Sequence, residues 1–442
     1  MIPTFLDTTP SLKIPPSRPL SVGIVGLGAA AQAFLPAFAK NPSFSWVAFA
    51  EPDAQLREKH AHTCSAALAP KAYASLGQML AHEKTLDLVY VATPTDLHLE
   101  HVKAALSVGC HVLVEKPMAS QLSEALEMVK TARQMDRLLM VGHSHSYDRP
   151  ILEMRRIIES GAVGRVQMVH TWCFTDWMYR PRRAEELDYR LGGGVTYRQG
   201  AHQFDIIRYL CGGLVRSVRA KTFDWDPKRQ GLGAHTVFLD FDSGPAATAV
   251  YNGYGGLSSM DLAFDISEWG FVQALGERNW RRKPSEGQVL SAQEELKAKK
   301  VRAATAIPAL ADHQPFFGLT LVSCEGGDIR QTPQGLSIDG PNGREILDLT
   351  LDTSPRDLVL KELWDALSGA AKPIHTGAWG AANLEVCEAA ITSSMEKREV
   401  ALRHQVGIEP EIVSQIGSQI GSQIGSQIGS QIGSQIGSQI DR

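Results

Sequence analysis

Cysteine is scarce in this chain. Among 442 residues there are 6, at Cys64, Cys110, Cys173, Cys211, Cys324 and Cys387, each alone and none in a CxxC pair. That scatter argues against a disulfide framework and a cysteine zinc site, and reads as reduced thiols. No run of about 18 apolar residues occurs, so no transmembrane helix is expected. The N-terminus, MIPTFLDTTPSLKIPPSRPL, lacks a basic segment followed by an apolar core, so no secretory signal is expected either. Charge of one sign is also lacking, since 44 Lys+Arg stand against 48 Asp+Glu for a formal net charge of −4. Without a basic block, neither nucleic acid nor an anionic membrane is the expected partner. What remains is a globular chain long enough for two or three domains at roughly 100–200 residues each. The cytoplasm is its expected setting and a small molecule its expected partner.

The rhythm of the sequence changes along its length. Residues 1–19 carry five prolines and read as an extended arm. From 20 to 148 apolar runs alternate with amphipathic stretches. The runs are LSVGIVG, FSWVAFAE, LDLVYVAT, HVLVEKP and LLMVGH. Near-continuous apolar strands separated by helices predict a doubly wound parallel sheet of the Rossmann type, covered on both faces. From 149 to 410 strand candidates follow one another, as in GAHTVFLDFD and AATAVYNGYG around Ser243-Gly244. This predicts an α+β domain with an open, mostly antiparallel sheet, so the chain as a whole is α/β. Residues 256–318 are charged and weakly patterned, and stand as an insertion with no assigned place. The tail, 411–442, repeats SQIG from Ser414. With a glycine in every unit it reads as low-complexity chain more than as a helix or an oligomerisation element.

VGIVGLGAAAQAF places Gly26, Gly28 and Ala31 in a G-x-G-x-x-A pattern between a strand and a helix. Gly26 permits the tight turn, Gly28 lets backbone approach a pyrophosphate, and Ala31 allows close helix–strand packing. The helix start at Ala29 offers free N–H donors to the phosphates. Glu51 ends the second strand and would accept from ribose hydroxyls while repelling a 2′-phosphate, so NAD is expected over NADP. Alternatively, Glu51 merely caps the next helix. Thr93 and Pro94 end a later strand, where the crevice should hold ligand, and His98 follows either as a nicotinamide neighbour or as a structural histidine.

HVLVEKPMA ends a strand in Glu115-Lys116-Pro117, which aims a lysine into the cofactor crevice with Glu115 beside it. GGGVTYRQGAHQFD then puts His202 on a helix after a glycine turn. A histidine there suits general-base removal of a hydroxyl proton, or else belongs to the core. The HxH of His143 and His145 invites a metal, yet no carboxylate or cysteine stands at supporting spacing, and none is expected.

Taken together, GLGAAA, AEPD, TPTDLH, VEKP and GGG…AHQFD resemble the glucose–fructose oxidoreductase / inositol dehydrogenase / rhizopine-catabolism (Gfo/Idh/MocA) family over about residues 20–255. The resemblance implies that Lys116 orients the reactive hydroxyl, that His202 is the acid/base, and that the open sheet builds a homodimer or homotetramer. Polyol-oxidising members usually carry Asp four residues before this histidine, whereas here the position is Arg198. An arginine is a planar partner for a carboxylate, so an anionic substrate is implied. Arg180, Arg182 and Arg183 offer a second clamp, or else pair with Glu185, Glu186 and Asp188 on the surface. Trp177 and Tyr179, with Trp172 and Phe174 nearby, would stack on a flat ring or belong to the sheet core.

Within the family, GHSHSYDRP, TDWMYRPRRAEELD and SVRAKTFDWDP look most like the phthalate cis-dihydrodiol (4,5-dihydroxyphthalate) dehydrogenases of aromatic-compound degradation. The expectation is therefore an NAD-dependent oxidoreductase converting the dihydrodiol of a phthalate- or isophthalate-type acid to a catechol. Two alternatives stand beside it: a sugar or polyol dehydrogenase of the same family, and a non-catalytic dinucleotide-binding regulator.

Overall fold

A computed structural model describes residues 18–63, 70–142, 145–273, 291–305 and 311–408. Most of the N-terminal arm, His143 and the SQIG tail lie outside the described residues. Among those described, no helix is long and apolar enough to cross a membrane.

The first half alternates strand and helix: β1 (Leu20–Val25), α1 (Ala29–Lys40), β2 (Phe44–Ala50), α2 (Ala54–Thr63), β3 (Lys71–Tyr73) and α3 (Leu76–His82), then β4 (Leu88–Val91), α4 (His98–Ser107), β5 (His111–Glu115), α5 (Leu122–Gln134) and β6 (Leu139–Gly142). The strands form one parallel sheet in the order β3-β2-β1-β4-β5-β6, the classical dinucleotide-binding arrangement. Its centre is apolar on both faces: every residue of β1, β4 and β5 is buried. The reversal of strand order between β1 and β4 opens a crevice at their carboxyl ends, as expected for such sheets. β3 is short and has no strand-like pattern in the sequence; it is held by pairing to β2.

The second half runs α6 (Arg149–Glu159), β7 (Val166–Phe174), α7 (Gly194–Arg198), α8 (Gly200–Cys211), β8 (Val215–Phe223), β9 (Ala234–Phe241), β10 (Ala246–Asn252), α9 (Ser259–Leu262) and α10 (Ala292–Thr305). It continues through β11 (Leu319–Cys324), β12 (Gly327–Gln331), β13 (Gly335–Gly340), β14 (Gly343–Asp348), α11 (Pro355–Ser368), α12 (Gly377–Glu396) and β15 (Val400–Ala401). Nine strands pair in the order β14-β13-β12-β11-β7-β10-β9-β8-β15. All neighbours are antiparallel except β7 and β10. The expected α/β class, with a parallel and a mostly antiparallel sheet, is what the chain adopts.

Helices α8 and α12 are buried almost throughout, and α12 packs on both β8 and α5. Arg208 on α8 is fully buried, yet it is satisfied: its guanidinium lies 3.9 Å over the Trp379 ring and donates to the Trp379 carbonyl at 3.1 Å. Buried charge is tolerated when hydrogen-bonded in this way. The opposite face of the nine-stranded sheet carries half-exposed Met168, Trp172 and Phe238.

Candidate active site

The glycine loop is built by constraints that side chains cannot meet. Gly26 has φ +85°, and a Cβ there would lie 2.8 Å from the Ala92 carbonyl oxygen, so only glycine fits. At Gly28 an added Cβ meets nothing within 4 Å; the space beside the backbone is open. Gly28 caps α1 without any side-chain hydrogen bond, and the first turn holds no acid. The N–H groups at Ala29 and beyond are thus left to an incoming anion, while Ala31 is fully buried against the sheet.

Glu51 braces this loop. Its Oε2 accepts from the Leu27 N–H at 2.9 Å and its Oε1 from the Asp53 N–H at 3.1 Å. Asp53, not Glu51, caps α2, through Gln55 and Leu56 N–H groups. Each Glu51 oxygen retains a lone pair for a ribose hydroxyl. These observations fit a dinucleotide: an uncapped helix start, an open cradle at Gly28, and a carboxylate at the end of β2.

At the next strand end, Thr93 Oγ1 pairs with His101 Nδ1 at 3.0 Å, and Pro94 leads into a helical turn containing buried Thr95. His98 is 1% exposed, its ring held between the Thr93 and Met118 carbonyl oxygens at 2.9 and 3.1 Å. Burial lowers it to about 4. Both ring nitrogens face backbone carbonyls and the ring ties the strand-end loops together, which favours the structural alternative for His98.

Glu115 is buried and accepts from the Tyr90 hydroxyl at 2.6 Å. Burial raises its carboxyl above the ordinary range against the pull of Tyr90 and Lys116. Lys116 follows across a cis peptide to Pro117. Burial lowers its ammonium to about 8, a shift that Glu115 opposes. Lys116 Nζ reaches the Arg198 carbonyl oxygen at 3.5 Å, so the strand-end lysine of the first sheet meets the α7–α8 junction of the second half.

That junction is set by the glycine triplet. A Cβ at Gly193 would lie 2.5 Å from the Glu185 carbonyl oxygen, and Gly192 and Gly194 have φ +71° and +76°. The helix expected to carry His202 after the glycine turn is preceded by a separate short one, the two broken at Gln199. Arg198 ends the first, and its Nη1 donates to Thr95 Oγ1 at 3.0 Å while its Nε has no partner. His202 lies on the first turn of α8, 4% exposed. Its ring is perpendicular to His145 at 4.7 Å and tilted against Phe317 at 4.9 Å. His145 stacks on Phe317 at 4.3 Å and is paired with buried Asp148 at 3.0 Å. Asp205, one turn beyond His202, instead accepts from Trp379 Nε1 at 2.6 Å.

The basic loop divides. Arg180 pairs with Asp176 at 2.7 Å and lines a cleft of about 310 Å³ with Phe174, Glu268, Trp269 and Phe317. Arg182 lies 4.1 Å over the Trp177 ring, and Arg183 pairs with Glu185 and Asp96. Trp177 is 1% exposed and Tyr179 donates to Asp226 at 3.1 Å. Arg182, Arg183, Trp177 and Tyr179, expected beside the substrate, thus each have partners within the protein, as the alternative reading of ion pairing and core packing has it. Trp172 points to the open face of the sheet, 41% exposed.

The 256–318 segment, which the sequence leaves without a place, supplies Glu268 and Trp269 to the cleft, with Trp269 5.7 Å from the His145 ring. The His145–Asp148 pair had a signal in its i, i+3 spacing. Glu268, Trp269 and Phe317 had none, because only the fold brings Phe317 to His202, Trp269 to His145 and Glu268 to the cleft they line. Among the described residues no cluster of His, Cys, Asp or Glu is arranged to hold a metal.

Comparison with known proteins gives a consistent assignment. Residues 20–143 match the GFO/IDH/MocA model described as an oxidoreductase family with an NAD-binding Rossmann fold, and 151–257 match the GFO/IDH/MocA C-terminal domain. A Comamonas testosteroni 1-carboxy-3-chloro-3,4-dihydroxycyclohexa-1,5-diene dehydrogenase is 34% identical over 380 residues, covering 83% of this chain and 93% of that enzyme. A candidate dehydrogenase structure from Bordetella bronchiseptica RB50 superposes with TM-score 0.79 at 34% identity, covering 87% of this chain and 100% of the other. The Bordetella pertussis WlbA dehydrogenase, solved with NADH and UDP-GlcNAcA, shares the fold at TM-score 0.63 and 19% identity, over 87% and 99% of the two chains.

Proposed function

The chain belongs to the GFO/IDH/MocA family of NAD-binding oxidoreductases, and from that premise we propose that it oxidises the cis-dihydrodiol of an aromatic carboxylic acid, of phthalate or isophthalate type, to the catechol. The observation that carries this reading is Arg198. Where polyol-oxidising members usually place a carboxylate, this chain has Arg198, whose backbone carbonyl Lys116 Nζ reaches and whose buried Nε has no hydrogen-bond partner. The Comamonas relative named for a carboxylated ring diol supports the same substrate class.

In this reading Gly26, Gly28, Ala29, Ala31, Glu51, Thr93, Pro94 and Glu115 hold the cofactor. When bound, NAD supplies the hydride acceptor. Lys116, lowered to about 8, holds the reacting hydroxyl through Nζ and shares its proton. His202 takes that proton on a ring nitrogen as the carbinol C–H bond breaks. Phe317 and His145 shield the His202 ring from water. Arg198 receives a substrate carboxylate, and Arg180, held by Asp176, lines the cleft. The product enone becomes the catechol as its remaining sp3 ring carbon gives up its proton, or CO2 where that carbon bears a carboxylate, and the ketone oxygen takes up a proton; aromatisation draws the oxidation forward.

Arg198→Asp tests the assignment with paired acidic and neutral diols. The expected result is a loss of about 100-fold in kcat/KM on the acid, the scale of a buried charge-assisted pair, with the neutral substrate spared. Unchanged discrimination removes the anion site. We further propose that a second copy covers the open sheet face around Met168, Trp172 and Phe238, where half-exposed apolar side chains cluster.

A further inference from the structure

Glu268 and Trp269 form a wall shared by two clefts. One, of about 310 Å³, lies at the end of β7 and contains Arg180. The other, of about 320 Å³, lies between α1 and the start of α11 and contains Arg356 and Asp148. The two arginines differ. Arg180 already has a carboxylate, Asp176, at 2.7 Å. Arg356 has none within ion-pair distance among the described residues, and its buried Nε has no hydrogen-bond partner. The Trp269 ring covers it, 4.6 Å from the guanidinium carbon.

A buried guanidinium donor left unmade is unfavourable, and it becomes favourable when a ligand brings an acceptor. The charges around Arg356 indicate where that ligand sits. Asp148, Glu115 and Glu268 face it from three different elements. Glu268 also lies in the field of Arg180 and Lys116. One carboxylate thus stands among three cations on the edge of the reacting crevice.

Resting on the aromatic-acid reading, we propose that Arg356 anchors a substrate carboxylate and that Glu268 is the resident counter-charge which that carboxylate displaces. Arg356 sets selectivity for anions, and Glu268 tempers it. A neutral polyol would leave Glu268 where it is and gain nothing from Arg356. The inference gives the 256–318 insertion a task in selectivity, and it adds a substrate contact from α11 that lies more than 150 residues from Arg198 in the chain.

The test uses the full chain with NADH bound and isophthalate as an unreactive probe, titrated calorimetrically. Wild type should bind isophthalate, and Arg356→Gln should bind it about 30-fold more weakly, as expected for loss of a charge-assisted pair. Glu268→Gln should bind it several-fold more tightly, and NADH affinity should be unchanged in both variants. Isophthalate binding by Arg356→Gln at the wild-type level overturns the anchor and leaves the aromatic-acid reading standing. Loss of NADH affinity in Arg356→Gln also overturns it, since the residue would then serve the cofactor. Failure of wild type to bind isophthalate or phthalate overturns the aromatic-acid reading itself, and the anchor with it.

Discussion

Replacing Lys116 with methionine should make the protein more stable while abolishing turnover. The native environment lowers the Lys116 ammonium from its ordinary 10.5 to about 8, chiefly by burial. At 1.36 kcal/mol per decade that difference bounds the cost of the buried charge at about 3 kcal/mol. Partial exposure of the side chain and the loss of a counter-charge for Glu115 reduce the expected gain to about 1–2 kcal/mol. The sign follows from proton linkage. Below about pH 8 native and unfolded chains both hold the proton, so the native state bears the full cost. Between about 8 and 10.5 the native lysine is neutral while the unfolded one is charged, so wild-type stability rises with pH and the variant's advantage fades. Methionine keeps the unbranched stem and fills the same space without a charge. Urea unfolding of both proteins near pH 7 and pH 10 makes the comparison. A variant less stable than wild type near pH 7, or an advantage equal at both pH values, would refute the buried-charge argument.

Other consequences are equally direct. Glu51→Ala should weaken NAD binding about tenfold and narrow the preference over NADP, because it removes the ribose acceptor and the brace on Leu27; fluorescence titration with both reduced cofactors measures it. Trp172→Arg with Phe238→Arg, both on the open sheet face, should convert the assembly to monomers in sedimentation velocity. An unchanged sedimentation coefficient would place the interface elsewhere.

The cofactor half was legible because its signals are local. Apolar strands buried on both faces need no partner chain to be recognised, and the Gly26 turn, the Gly28 cradle and Glu51 lie within one βαβ unit. Lys116 and His202 were legible only as strand-end and helix residues, and it took the fold to bring the Lys116 Nζ to the α7–α8 junction. The substrate loop was the least legible part. A run such as YRPRRAEELD has as many internal partners as external ones, and the chain settles Arg183 on Glu185 and Asp96 and Arg182 on Trp177. The aromatic residues divide for the same reason, since Trp177 sits deep in the core while Trp172, five residues away, faces outward. Arg356 and Glu268 carried no sequence signal because neither belongs to a motif; they matter through long-range proximity alone.

The most direct test of the account is NADH formation by the purified protein with phthalate, isophthalate and benzoate cis-dihydrodiols beside myo-inositol and glucose. Turnover confined to the carboxylated diols, and faster with two carboxylates than one, is the predicted result. Turnover on inositol or glucose at comparable kcat/KM would contradict it.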